Sequence, residues 1–195
     1  MNLLTVPVTV YRGMLLILIC FHLGKHQYKT VKSTILTLIL SFLPALADRW
    51  FGVQIDAFSL AIYYIMLFMS LYLGSSLGFY DRYAWWDRAI HSLSGIGFTG
   101  FGIAIAYLSP GIGKAGLLFF GFTFSLSLHL IWEVMEYLSD CVTHGNAQRW
   151  QKIHNSVNHV SEKAIQPAGL VDTMNDSICC MIGAALVLIF WWIVL

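Results

Sequence analysis

The chain reads as an all-α membrane protein: a six-transmembrane-helix bundle, N-out/C-out, with an amphipathic interfacial helix between the fifth and sixth spans. Three observations predict this. Hydrophobic residues fill 58 % of the 195 positions and charged residues only 11 %, and mean hydropathy is +0.72, far from the composition of soluble domains. Apolar stretches near the length of about 20 residues that a spanning helix needs follow one another through the chain. The polar connections between them are short, so residues 1–195 form a single integral membrane domain with no room for an ordinary soluble one. Formal net charge is +1, which gives nucleic acid no basic surface to bind. Membrane lipids are the expected surroundings, and oligomeric state is not legible.

The first span covers about residues 3–23. No Lys or Arg precedes Arg12 and no small-residue cleavage pattern follows the apolar core, which argues against a removable signal peptide. Ile17 and Ile19 before Cys20 argue against a lipoprotein anchor. Lys25, Lys29 and Lys32 make a basic turn. The second span, 33–47, ends at Pro44 and the polar pair Asp48 and Arg49, with Trp50 and Phe51 as interfacial anchors. The third, 57–79, closes at Tyr80 to Arg82. The fourth, 86–108, is ended by Ser109, Pro110 and Gly111, which cannot continue a helix. The fifth is 114–138 and the sixth 178–195, joined by a polar loop over 139–171. From Asn146 to Ala168 that loop sets Trp150, Ile153, Val157, Val160 and Ala164 opposite Lys152, His154, Asn155, His159 and Lys163, the pattern of a helix lying on the membrane surface. His144, His154 and His159 match no zinc spacing and read as solvated.

Cationic residues set the orientation, because they accumulate on the cytoplasmic side. With the N-terminus outside, Lys25, Lys29, Lys32, Arg82, Arg88, Arg149, Lys152 and Lys163 all fall inside. Only Arg49, Lys114 and the intraspan Arg12 fall on or toward the outer side. The same topology brings three acidic pairs to the cytoplasmic face: Asp87 with His91 entering the fourth span, Glu133 with Glu136 near the end of the fifth, and Asp172 with Asp176 ahead of the sixth. The positive-charge count used none of these residues.

Energetics point the acids inward, since a carboxylate facing lipid costs roughly 2.5–3.5 kcal/mol at the bilayer centre. Asp87 and His91 are four apart on one helix face, and His129, Glu133, Glu136 and Asp140 form one stripe. Five carboxylates brought together repel, so either protons or a cation must sit among them. Asp87, His91, Glu133, Glu136, Asp172 and Asp176 are therefore the candidate ligands of a divalent metal ion, whose identity the residues leave open among Mg2+, Mn2+, Ca2+, Fe and Zn. The competing reading caps helix ends: Asp87 and Asp172 suit a helix N-terminus, whereas Glu133 and Glu136 sit at the wrong end of the dipole for it. His129 reads as structural, and Gly95, Gly97, Gly100 and Gly102 as close-packing residues. Cys20, Cys141, Cys179 and Cys180 are expected reduced. Neither a nucleophile elbow, a phosphate loop nor a CxxC motif is present.

The segments WWDRAIHSLSG, WEVMEY and DTMNDSICCMIGA, with LPALADRWFGVQID ahead of them, resemble the YjdF-type family of bacterial inner-membrane proteins over roughly Phe42 to Ala185. On this likeness Asp87, His91, Gly95, Glu133, Glu136, Asp172, Asp176 and Gly183 match the family's recurring polar and glycine positions. A looser likeness is to the VanZ-like membrane proteins, although Asn175 precedes Asp176 here, and the long histidine-bearing loop departs from the first pattern. The resemblance implies a multi-pass protein of the bacterial inner membrane with six helices, and it carries no activity with it. From the residues, three functions compete. One is a divalent-metal-dependent, hydrolase-like enzyme acting on a lipid-linked or phosphorylated substrate, with His91 as ligand or general base. The others are a proton or metal-ion carrier using the same acids and a non-catalytic assembly protein.

Overall fold

A computed structural model describes residues 5–148 and 166–195, which are helical with short connections and contain no strand. The elements are α1 (Thr5–Gly24), α2 (Tyr28–Leu40), α3 (Leu43–Phe51), α4 (Ala57–Leu67) continued by a π-helical stretch (Phe68–Ser76), α5 (Phe79–Arg82), α6 (Trp86–Ala106), α7 (Lys114–Thr143) and α8 (Ala168–Val194). Six helical stretches among the described residues are long and apolar enough to cross a membrane: Val6–Gly24, Tyr28–Phe51, Ala57–Ser76, Trp86–Ala106, Lys114–Thr143 and Ala168–Val194. The amphipathic helix expected over Asn146 to Ala168 falls, from 149 to 165, outside the described residues.

The second span is longer than the expected 33–47 and is broken. At its start Lys29 and Lys32 lie within the helix, both exposed. At the break, Pro44 has no N–H to return to the carbonyl four residues earlier. That carbonyl, Leu40 O, instead accepts from Tyr63 Oη at 2.8 Å. The next one, Ser41 O, accepts from Arg12 Nη2 at 2.7 Å and from Tyr64 Oη at 3.3 Å, while Arg12 Nε donates to Ser41 Oγ at 3.2 Å. The intraspan arginine is thus held by the Ser41 carbonyl at the helix break, with its guanidinium 3.8 Å from the Phe42 ring centroid.

The last two spans also differ from expectation at the loop between them. α7 runs past 138 to Thr143, where His144 takes a left-handed conformation (φ 52°) and Asp140 accepts from the amides of Ala147 at 2.7 Å and Gln148 at 3.0 Å. α8 starts at Ala168 rather than 178, and no acidic residue lies in its first turn. Asp172 and Asp176 are therefore inside the helix and cap nothing. A hydropathy window reads polar residues as loop even when they line the inward face of a helix, which explains the short estimate.

α6 is the centre of the bundle. Of its most apolar stretch 56 % is buried, against at most 33 % in any other span, and α4, α7 and α8 all pack on it. Small residues allow this. A Cβ on Gly95 would collide with the Cys180 carbonyl of α8 and stand 2.9 Å from Ala184 N, and one on Gly183 would collide with the Ser92 carbonyl of α6. On the other side, a Cβ on Gly102 would lie 2.8 Å from Gly121 Cα of α7. Without a hydrophobic force between helices in lipid, such backbone-to-backbone packing is what holds them together.

Candidate metal centre

The cluster lies at one end of three helices. Asp87 to the end of α6, the start of α7 to Glu133, and Asp176 to the end of α8 are each about 27–29 Å at 1.5 Å rise per residue. The hydrocarbon layer is about 30 Å thick. The three positions therefore share one edge of it.

Each helix supplies its side chains by helical spacing. Asp87 and His91 are one turn apart on α6, and His129 and Glu133 repeat that spacing in reverse order on α7. His91 Nε2 lies 3.5 Å from Asp87 Oδ1 and 3.8 Å from Asp176 Oδ2 across the α6–α8 contact. His129 Nε2 lies 3.5 Å from Glu133 Oε1 and 3.1 Å from Ser177 Oγ of α8. The two imidazoles meet edge to face, centroids 5.0 Å apart. All of these but Asp87 and Ser177 are more than nine-tenths buried: His91 5 % exposed, His129 7 %, Glu133 5 % and Asp176 3 %.

Two sets of ligand atoms lie within 4.8 Å of one another, His91 with His129 and Glu133, and Asp87 with His91 and Asp176. His91 belongs to both. Two atoms of residues in the first set, His129 Nδ1 and Glu133 Oε1, are buried without a hydrogen-bond partner, Oε1 having only the 3.5 Å approach of His129 Nε2. Burial without a partner costs about 1–3 kcal/mol for a neutral polar group and more for a charged one.

Of the six ligands expected from sequence, Asp87, His91, Glu133 and Asp176 come together. Glu136 and Asp172 belong to neither set. Glu136 turns its carboxylate to the indole N–H of Trp132 at 2.7 Å, and Asp172 sits one turn nearer the loop than Asp176, half-buried. His129, expected to be structural, is inside the cluster. The signal that could have found it is the repeated four-residue spacing of His129 with Glu133 beside that of Asp87 with His91. Toward the membrane interior the cluster is closed by Ser125, whose hydroxyl donates to Gly95 O at 3.2 Å, by Thr99, whose hydroxyl donates to the same oxygen at 2.7 Å, and by fully buried Cys180. Toward the loop, Gln148 Nε2 donates to Thr173 Oγ1 at 3.2 Å, one turn from Asp176.

Chemically, three carboxylates and two imidazoles make a mixed oxygen and nitrogen donor set. Neither Glu133 nor Asp176 is ion-paired with a lysine or arginine among the described residues. The arrangement can hold a divalent cation, and His91, flanked by two carboxylates, can hold a proton.

No curated protein and no solved structure matches the chain. Residues 6–195 match the family described as "Predicted membrane protein (DUF2238)", and with nearly the whole chain covered the protein belongs to that family.

Proposed function

We propose that the protein sits in the bacterial inner membrane, N-terminus and C-terminus outside, and uses a cytoplasm-facing divalent-cation site as a hydrolase-like enzyme on a lipid-linked or phosphorylated substrate. The observation that carries this reading is the pair of buried atoms without a hydrogen bond, Glu133 Oε1 and His129 Nδ1, in a cluster that gathers acids from three helices. Buried carboxylates without cationic partners are retained where a cation binds them. The loop cations Lys25, Lys29, Lys32, Arg82 and Arg88 support the orientation. The likeness to YjdF-type proteins, and more loosely to VanZ-like ones, supports the location.

The depth of the cluster favours this substrate class, because a site at the hydrocarbon edge stands level with lipid phosphates. A bound divalent ion would polarise a phosphoryl oxygen and draw off charge as the ester bond breaks. His91 would help hold that ion, its ring oriented by Asp87 and Asp176, and one of those two carboxylates would accept the proton of the attacking water and return it to the leaving oxygen. A carrier needs ionisable groups onward to the other face, and beyond His91, His129 and Asp176 toward the far ends of α6, α7 and α8 the only charged residue is Lys114. Elemental analysis of the purified, full-length protein tests the reading. A stoichiometric divalent ion is expected, lost in Glu133→Gln; no bound divalent metal, with Glu133→Gln as stable and as competent in the cell as the parent, refutes it.

A further inference from the structure

The two imidazoles are separated by the distance expected for two ligands of one ion. With a metal–nitrogen bond of about 2.1 Å, each imidazole centroid lies about 3.2 Å from the ion, and ligand angles of about 90–110° place two centroids about 4.5–5.2 Å apart. The observed separation is 5.0 Å, with the rings 85° to each other. His129 comes from a different helix, is 7 % exposed, and keeps Nδ1 without a hydrogen bond. Glu133, one turn away on the same helix, keeps Oε1 without one. The set His91, His129 and Glu133 supplies two nitrogens and one oxygen, all within 4.8 Å. Ligands on opposite sides of one ion stand about 4.2 Å apart, so this set closes on an ion with small side-chain shifts.

Donor chemistry then decides the class of ion. Mg2+ and Ca2+ are hard and take oxygen, whereas imidazole suits Fe2+, Co2+ and Zn2+, and two histidines with one carboxylate leave open positions for substrate. We infer that the centre selects an imidazole-preferring transition-metal ion over Mg2+ and Ca2+, with His129 as a ligand alongside His91 and Glu133. This rests on the divalent-cation reading above and specifies its metal. Asp87 and Asp176, placed against the other side of His91, orient its ring and balance the added charge.

The test is titration of the metal-stripped, detergent-purified full chain with Co2+, Zn2+, Mg2+ and Ca2+ separately, together with X-ray absorption on the Zn-loaded protein. Co2+ and Zn2+ are expected to bind at least about tenfold more tightly than Mg2+ and Ca2+, and His129→Asn to weaken Co2+ by roughly 10–100-fold while changing its visible bands. The absorption spectrum of the parent should show two imidazoles, a result that needs no variant to fold. Mg2+ or Ca2+ binding as tightly as Co2+, or fewer than two imidazoles on the ion, overturns this inference and leaves the divalent-cation reading standing. Failure of all four ions to bind the parent overturns both.

Discussion

The replacement Asp176→Asn separates a cation site from a set of helix ties by the sign of its effect. Asp176 and Asp87 offer carboxylate oxygens within 4.8 Å of each other, and Asp176 is 3 % exposed. At that separation two like charges repel by about 3.5 kcal/mol at an effective dielectric near 20. Side-chain relaxation and the intervening His91 take up part of this, so removing the charge at constant shape should stabilise the metal-free protein by about 1–2 kcal/mol. In the presence of metal the same change removes an anion that orients His91 and balances the charge of the ion, and should lower the stabilisation that binding confers. A tenfold weaker Kd in excess metal costs about 1.4 kcal/mol. The assay is unfolding in detergent followed by the fluorescence of the native tryptophans, with chelator and with Zn2+. The parent should gain midpoint on adding metal, whereas Asp176→Asn should start higher and gain less. If Asp176→Asn lowers the midpoint in chelator and leaves the metal-dependent gain intact, the acid is tying helices together and the cation argument is wrong.

Two further predictions concern the scaffold. Gly95→Val should push α8 off α6, because its Cβ meets the Cys180 carbonyl; overpacking of this kind costs about 1–3 kcal/mol, and metal binding should fall with it, while Gly13→Ala, with nothing within 4 Å of the new Cβ, should leave unfolding midpoint and metal content unchanged. Arg12→Leu leaves Ser41 O with only the 3.3 Å contact from Tyr64, so the unfolding midpoint should drop by the equivalent of about 1–3 kcal/mol while metal affinity stays at the parent value, since the bonds Arg12 makes are to Ser41, outside the three helices of the site.

Much of the architecture was legible because it is local. A run of apolar residues reports a span whatever its neighbours do, and six such runs suffice to state the class. Helical spacing likewise puts Asp87 beside His91 and Asp176 one turn beyond Asp172 without reference to the rest of the chain. The acids also declare that they avoid lipid, since none could face it without cost. Boundaries were less legible. Lys29, Lys32, Asp172 and Asp176 lie within helices that hydropathy ends too early, because polarity along a sequence does not say which face of a helix a side chain occupies.

What only the tertiary structure decided is which inward-facing groups meet. That depends on the rotation and depth of α6, α7 and α8 against one another, and these are set by backbone contacts at Gly95 with Cys180, Gly183 with Ser92 and Gly102 with Gly121. Each such contact joins residues far apart in the chain, so no pattern within one helix encodes it. Those contacts bring His129 of α7 within 5.0 Å of His91 of α6 and leave Glu136 against Trp132. The sequence by itself determined that this protein carries buried acid and imidazole in a membrane; the packing of glycine backbones determined which of them meet in one cluster, because close approach in lipid is governed by shape and not by hydrophobicity.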